Sequence, residues 1–359
     1  MADDLNCGSG GGSTSLQGLR IASIFVIWVG STSGALFPVL AKRTKWLNVP
    51  IALFDFAKYF GSGVIIATAF IHLLSPALDA LGSPCLADGW SDYPYALAIS
   101  MGSIFFIFII ELLAFRVGTA QLKRLGVQYD VHGHGVGGHS AHGPEARPAT
   151  SEDDIAMETA SEDVENQLSF SEKEHAEGAG HVHTHGRERH DHTMDDSAIA
   201  QVLGVAILEF GVMLHSVLIG LTLAVDPDFK VLFVVLVFHQ TFEGLGLGSR
   251  LAFMHLPPHL SWVPVVAAMA YGITTPVGIA AGLGVRSSYN PGSTRASIIS
   301  GVLDATSSGI LIYTGLVELL AHEFLFNPQM REASNGRVAY AVACMLAGCA
   351  LMALLGKWV

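Results

Sequence analysis

The sequence is short of charge. Lys, Arg, Asp and Glu make up 14% of its 359 residues, where a soluble domain of this size carries roughly a quarter. That deficit argues against an ordinary water-soluble protein. A basic stripe is missing too, so nothing is set up to hold phosphate, and nucleic acid is not expected as a partner. Cysteine is scarce: the four residues Cys7, Cys85, Cys344 and Cys349 show no CxxC spacing, which removes zinc ribbons and dithiol redox motifs. There is no HExxH run either, because His322-Glu323 is followed by Phe324, Leu325 and Phe326. No cleavable signal peptide is expected, since the start is polar and Gly/Ser-rich and the first apolar run is long enough to span a membrane.

What is present is apolar. Hydrophobic residues make up 51% of the chain, with 39 glycines, a composition that suits close helix packing in a bilayer. A span needs about 20 mainly apolar residues. Eight runs qualify: 20–41, 53–76, 94–117, 198–225, 231–254, 261–285, 296–321 and 337–356. Only helices or closed barrels satisfy the backbone in hydrocarbon, and runs this long argue for helices. The expected fold is therefore an all-α membrane protein of eight transmembrane helices. Residues 1–19 form a tail, 20–117 the first three spans, 118–197 a long loop and 198–359 the last five spans. Lys and Arg set the orientation, since they concentrate on the cytosolic side. Of the 19, all but Arg20, Lys230, Arg286, Arg295 and Lys357 follow odd-numbered spans. Both termini are thus expected outside. Cys7 and Cys85 then share that side, which leaves a disulfide between them open. Cys344 and Cys349 read as small buried residues of span eight.

The loop 118–197 is polar, acidic and poor in aromatics, so it is expected to be largely disordered. Its segment Glu145 to Asp196 holds 15 of the 31 acidic residues, so the net charge of −12 belongs mostly to the loop. Ten of the 16 histidines lie between His132 and His192. The densest run is His181-Val182-His183-Thr184-His185. Clustered imidazoles among carboxylates offer loose sites for borderline metals such as zinc. A plain solubilising loop is the competing reading.

Ionisable groups inside spans are costly and mark function by default. Span four carries His215-Ser216-Val217-Leu218-Ile219-Gly220 and span five His239-Gln240-Thr241-Phe242-Glu243-Gly244. His239 and Glu243, four apart, share one helical face. They offer one imidazole nitrogen and one carboxylate oxygen to a single ion, and His215 offers a third ligand. Two His and one Glu with an open position suit zinc, and the incompleteness lets the ion leave.

Here the sequence resembles a known family. The segments His215 to Gly220 and Phe238 to Gly248 are similar to the signature of the ZRT/IRT-like (ZIP) zinc transporters, nearest to the fungal plasma-membrane zinc-uptake members. Thr274-Thr275-Pro276-Val277-Gly278, Gly309 to Tyr313 and Val317 to Leu320 resemble the motifs that follow. The resemblance implies that His215, His239 and Glu243 form the transport site, with Ser216 and Gln240 lining a neighbouring polar position. It also implies a homodimer, and spans one, four, five and six moving against two, three, seven and eight. Bacterial members can carry a second carboxylate four residues after the span-four His, and here that position is Ile219. One principal site is therefore expected.

Other polar residues suggest a path. His72 lies toward the outer end of span two and is a candidate first ligand, with Asp79 beyond it to attract cations. Glu111, Glu209, Glu318, His322 and Glu323 lie toward the cytosol as a candidate release route. An ordinary solvated helix end is the competing reading of the last three. Asp304 lies deeper, with no role evident. Zinc is expected as cargo rather than cofactor, with Fe²⁺, Mn²⁺ and Cd²⁺ open because affinity alone does not select among them. Two other classes stay open: a cation-diffusion-type exporter, which usually has six spans and paired HxxxD motifs, and a membrane metallohydrolase using the His/His/Glu set. Imidazole ligands must be deprotonated to bind. Uptake should therefore weaken as the medium falls below about 6.5, the unperturbed histidine pKa. Uptake unchanged between neutral pH and pH ~5 would argue against imidazole at the rate-controlling site.

Overall fold

The computed structural model describes residues 7, 11–13, 15–44, 49–124, 128–130, 145–147, 191–254, 256, 258–287, 289–290 and 292–358. Eight of its helices are long and apolar enough to cross a membrane. They are α1 (Gln17–Arg43), α2 (Ile51–Leu81), α3 (Tyr95–Ala114), α4 (Gly204–Val225), α5 (Phe229–Phe253), α6 (Pro258–Val285), α7 (Thr294–Phe326) and α8 (Asn335–Trp358). Each coincides with one expected span. The helix of α3 runs on to Arg124, and that of α4 begins at Asp191. Within the long loop, β1 (Gln128–Asp130) pairs antiparallel with β2 (Glu145–Arg147). The histidines His181, His183 and His185 lie outside the described residues.

The helices sort into two bundles. In one, α1 packs on both α5 and α6, and α4 packs on α6. In the other, α2 packs on α8 and α7, and α3 packs on α7. The bundles meet along two seams, α2 against α5 and α4 against α7. This is the grouping that the family resemblance implied.

Glycine sets how closely these helices approach. A Cβ on Gly61 of α2 would land on the Cα of Gly246 of α5, and one on Gly246 would land on Gly61 in turn. Within the first bundle, Gly244 and Gly248 of α5 lie against the α1 backbone at Ser31 and Ala35, and Gly220 of α4 lies against Thr275 and Gly278 of α6. Such contacts supply the van der Waals attraction that holds helices together where water cannot drive association.

Two buried polar features are fully accounted for by backbone chemistry. Pro276 lacks an N–H, which frees the carbonyl of Gly272 one turn earlier in α6. Ser31 Oγ of α1 lies 3.1 Å from that carbonyl and 2.7 Å from the Ile27 carbonyl, and shares its one proton between them. Arg20 is wholly buried at the start of α1. Its guanidinium donates to the carbonyls of Leu223 (2.9 Å) and Asp226 (2.6 Å) at the end of α4, and sits over the Phe229 ring. A helix C-terminus has unpaired carbonyls and partial negative charge, so this cation serves as its cap.

The N-terminal tail is fastened to the same end of the molecule. Gly12 and Ser13 donate backbone hydrogen bonds to the carbonyls of Arg286 and Val225. Cys7 forms a disulfide with Cys85, in the connection between α2 and α3. This end is called the tail face below. Near the opposite face, Arg250 of α5 reaches across the seam to donate to Ser62 Oγ of α2 at 3.3 Å.

The Gly61–Gly246 approach leads to a direct expectation. Gly61→Val should cost about 1–3 kcal/mol by overpacking and lower the melting temperature of the detergent-purified protein. A melting temperature equal to that of the unaltered chain would show that the seam is not this tight.

Candidate metal transport site

Four helices bring ligand-type side chains to one level. His215 lies ten residues before Val225, the end of α4 at the tail face, and His239 lies ten residues after Phe229, the start of α5. His72 lies nine residues before Leu81, the end of α2, and Asp304 ten residues after Thr294, the start of α7. At 1.5 Å per residue this is about 15 Å of depth, the middle of a hydrocarbon layer about 30 Å thick. Glu243 lies one turn further from the tail face on α5. Substrate sites at the midplane of such bundles are a recurrent arrangement in transporters.

His239, Gln240 and Glu243 are fully buried on the inward face of α5. His239 Nε2 and Glu243 Oε2 are 3.8 Å apart, as the four-residue spacing led one to expect. The His215 ring lies 5.5 Å from the His239 ring between centroids. On the other side the His72 ring stands edge-on to His239 at 4.8 Å. His72 therefore sits beside His239 in the central cluster, deeper than the sequence suggests. It occupies a π-helical stretch, Thr68–Leu74, inside α2. The extra residue per turn re-aims the side chain, and such stretches are frequent at functional sites. His72 Nε2 is held by the Met352 carbonyl of α8 at 3.0 Å, leaving Nδ1 without a partner. His215 Nδ1 lies 3.8 Å from Asp304 Oδ1.

Gln240 and Ser216 form a polar wall beside this cluster. Gln240 Nε2 donates to Ser216 Oγ at 3.4 Å. Tyr271 of α6 places its hydroxyl 2.7 Å from both the Gln240 carbonyl and Gln240 Oε1, and 3.4 Å from Glu243 Oε2. A hydroxyl has one proton to give, so Tyr271 ties down Gln240 and leaves Glu243 largely free for other chemistry. The sequence reading had passed over Tyr271, and its only signal was a position three residues before Thr274-Thr275-Pro276.

The decisive feature is unmet bonding capacity. Both ring nitrogens of His215 and of His239, Nδ1 of His72, Oε1 of Glu243 and Oδ1 of Asp304 are buried without a hydrogen-bond partner. Leaving one such group unpaired in an apolar setting costs a few kcal/mol. A neutral imidazole keeps N–H on one nitrogen, so at most five of these seven atoms offer a lone pair, a set that a divalent cation can accept. The donor set is imidazole and carboxylate, with thiolates absent from the cluster, which suits zinc and its first-row neighbours. Among the described residues, no three His, Cys, Asp or Glu side chains are yet drawn together tightly enough to enclose an ion. The side chains stand as pairs, His239 with Glu243 and His215 with Asp304, each 3.8 Å apart.

The family comparison agrees with this geometry. A sequence profile described as "ZIP Zinc transporter" matches residues 17–356. The chain belongs to the ZIP family of zinc transporters. It is 41% identical over 345 residues to "Zinc-regulated transporter 1" of Saccharomyces cerevisiae, covering 95% of this chain and 87% of that one. It is 44% identical over 359 residues to "Zinc-regulated transporter 1" of Schizosaccharomyces pombe, covering 95% and 85%. To "Zinc transporter 9" of Oryza sativa subsp. japonica it is 36% identical over 351 residues, covering 95% and 89%. Family membership makes this ZIP protein a multi-pass membrane transporter of metal, not an enzyme.

The residues expected to form a release route are placed differently from one another. Glu111 of α3 accepts a 2.6 Å hydrogen bond from Tyr313 of α7, so it helps join those two helices. Glu323 forms an ion pair with Lys58 at 2.5 Å and lies within 3.5 Å of Tyr59 Oη and Asn327 Nδ2. Glu318, His322 and Glu323 share a second π-helical stretch, Gly315–Phe326, in α7. Glu209 is buried on α4, with Oε1 unpartnered, six residues from His215 toward the face opposite the tail. Of the group, only Glu209 combines burial with an unpartnered oxygen.

Proposed function

We propose that this ZIP protein carries zinc from outside the cell into the cytosol, by alternating exposure of a His215/His239/Glu243 site between its two helix bundles. The observation that carries the proposal is the cluster of partnerless imidazole nitrogens and carboxylate oxygens at the midplane. It sits where the α2–α5 and α4–α7 seams meet. His215, His239 and Glu243 belong to one bundle, so a shift of that bundle moves the ion with its ligands. Ser216 and Gln240 line the polar side of the site, held by Tyr271. His72 reaches in from the other bundle as a fourth donor. The relatives are named for zinc, and the imidazole-carboxylate set favours it, with Fe²⁺, Mn²⁺ and Cd²⁺ as competing cargo.

The disulfide supports the direction. Disulfides persist in oxidising compartments, and the Cys7–Cys85 bond lies at the tail face. The excess of Lys and Arg lies in connections at the other end. Both features support a tail face outside with extracellular termini, and the proposal takes the plasma membrane as the site of action and a homodimer as the working form. On the cytosolic side, Glu209 and then the Glu318–His322–Glu323 stretch form the way out. His181, His183 and His185 then receive the released ion or sense it.

The test is radioactive zinc uptake in cells lacking their own high-affinity uptake, at matched surface expression. The intact chain should take up zinc. His239→Ala and Glu243→Ala should each lower uptake at least about tenfold, which corresponds to ~1.4 kcal/mol. Uptake indifferent to both substitutions would remove this mechanism. Metal leaving the cells instead would reverse the direction.

A further inference from the structure

Asp304 has no place in the ligand set that the sequence motifs imply, yet the fold brings it to that set. It projects from α7, in the bundle that does not carry the motif histidines. Its Oδ1 lies 3.8 Å from His215 Nδ1 of α4. Neither atom has a hydrogen-bond partner, and 3.8 Å is too long for a bond between them. The separation fits a shared ion better. Bonds of about 2.0–2.2 Å at a tetrahedral zinc put two ligand atoms roughly 3.4 Å apart. The accepted type of pair in this site, His239 Nε2 with Glu243 Oε2, stands at the same 3.8 Å. Each pair therefore needs the same small closure to grip a cation.

Burial orders the two pairs. Asp304 is 8% exposed and His215 3%, while His239 and Glu243 are both at 0%. The Asp304 pair is thus the more approachable. It also differs in kind. His239 and Glu243 ride on one helix, whereas His215 and Asp304 face each other across the α4–α7 seam. An ion held by the second pair bonds the two bundles together. An ion held by the first pair meets the other bundle only through His72 of α2.

We propose that Asp304 and His215 form a second cation station, which captures the transported divalent ion across the seam and passes it to His239 and Glu243. The proposal rests on the transport reading above and adds a ligand to it. Capture at this station ties α7 to α4, and transfer to α5 releases that tie, leaving His72 as the one donor from the other bundle. The expectation of one principal site, drawn from Ile219, holds for α4 and α5 alone. The carboxylate missing at Ile219 is supplied from α7 instead.

Two measurements test it. The first is the concentration dependence of zinc uptake at matched surface expression. Asp304→Asn keeps the shape and removes the charge. It should raise KM for zinc about fivefold or more, roughly 1 kcal/mol, with Vmax within about twofold, and Asp304→Glu should restore KM most of the way. An unchanged KM for Asp304→Asn would overturn the proposal. So would a fall in Vmax alone, because a carboxylate that only orients His215 would act that way.

The second measurement does not depend on transport. Asp304→Cys in the full chain, with Cys344 and Cys349 replaced by Ala, is labelled in membranes by a small thiol reagent with and without Cd²⁺. Cadmium should protect the introduced thiol. Protection should disappear on adding His215→Ala and survive adding His239→Ala. No protection, or protection indifferent to His215→Ala, would show that no ion is held there. Cadmium protection in a chain that takes up no zinc would retain the station and reject the import reading, so the two failures can be told apart.

Discussion

Everything in this molecule follows from one constraint: a polar atom in hydrocarbon must find a partner. The backbone meets it by forming eight helices. Arg20 meets it with the carbonyls that close α4, and the Gly272 carbonyl freed by Pro276 meets it with Ser31. Glu111 and Tyr313 meet it with each other. Against that background the exceptions stand out. Among the described residues, half of the side-chain atoms that break the rule belong to His72, His215, His239, Glu243 and Asp304, which converge at one level. Unmet groups raise the free energy of the empty cluster, which favours its occupation by a partner.

Small residues decide what can move. Within each bundle, helices cross at glycines whose neighbours are backbone atoms, as Gly244 and Gly248 do against α1. Such contacts have no side chains to re-sort and favour a rigid unit. The seams are less uniform. Gly61 and Gly246 bring α2 and α5 into backbone contact between the level of His239 and the face opposite the tail. Beyond that crossing, Arg250, Ser62, Lys58 and Glu323 form a polar network with a cation donated from each bundle. Toward the tail face, the chain from Cys7 to Ser13 joins both bundles, by a disulfide to the α2–α3 connection and by hydrogen bonds at Val225 and Arg286. Motion between bundles must be compatible with both fastenings.

Much of this could be read from the chain alone, for definite reasons. The eight spans were legible because a bilayer demands long apolar runs, and few charges interrupt them. His239 and Glu243 were legible as a pair because an i, i+4 spacing fixes a helical face. The bundle grouping came only by resemblance, since periodicity says which face of a helix is apolar but not which helix covers it. The same limit hid Asp304, whose partner lies 89 positions away in the chain. It also hid Tyr271, a plain aromatic until its hydroxyl is placed on Gln240. His72 was put too near the mouth because the sequence gives no sign of the π-helical turn that aims it at His239. Glu111 and Glu323 were legible only as candidates for a release route, because their partners, Tyr313 and Lys58, come from other helices.

The most direct test of the account is to locate zinc itself by anomalous scattering at the zinc edge, in crystals of the intact protein grown with the ion. The account predicts a strong peak at the midplane, within about 2.0–2.2 Å of ligand nitrogens and oxygens from His215, His239 and Glu243. The 3.8 Å His239–Glu243 gap should close around that peak. Zinc found only in the histidine-rich loop or at the surface, with these side chains still apart and unpaired, would contradict it.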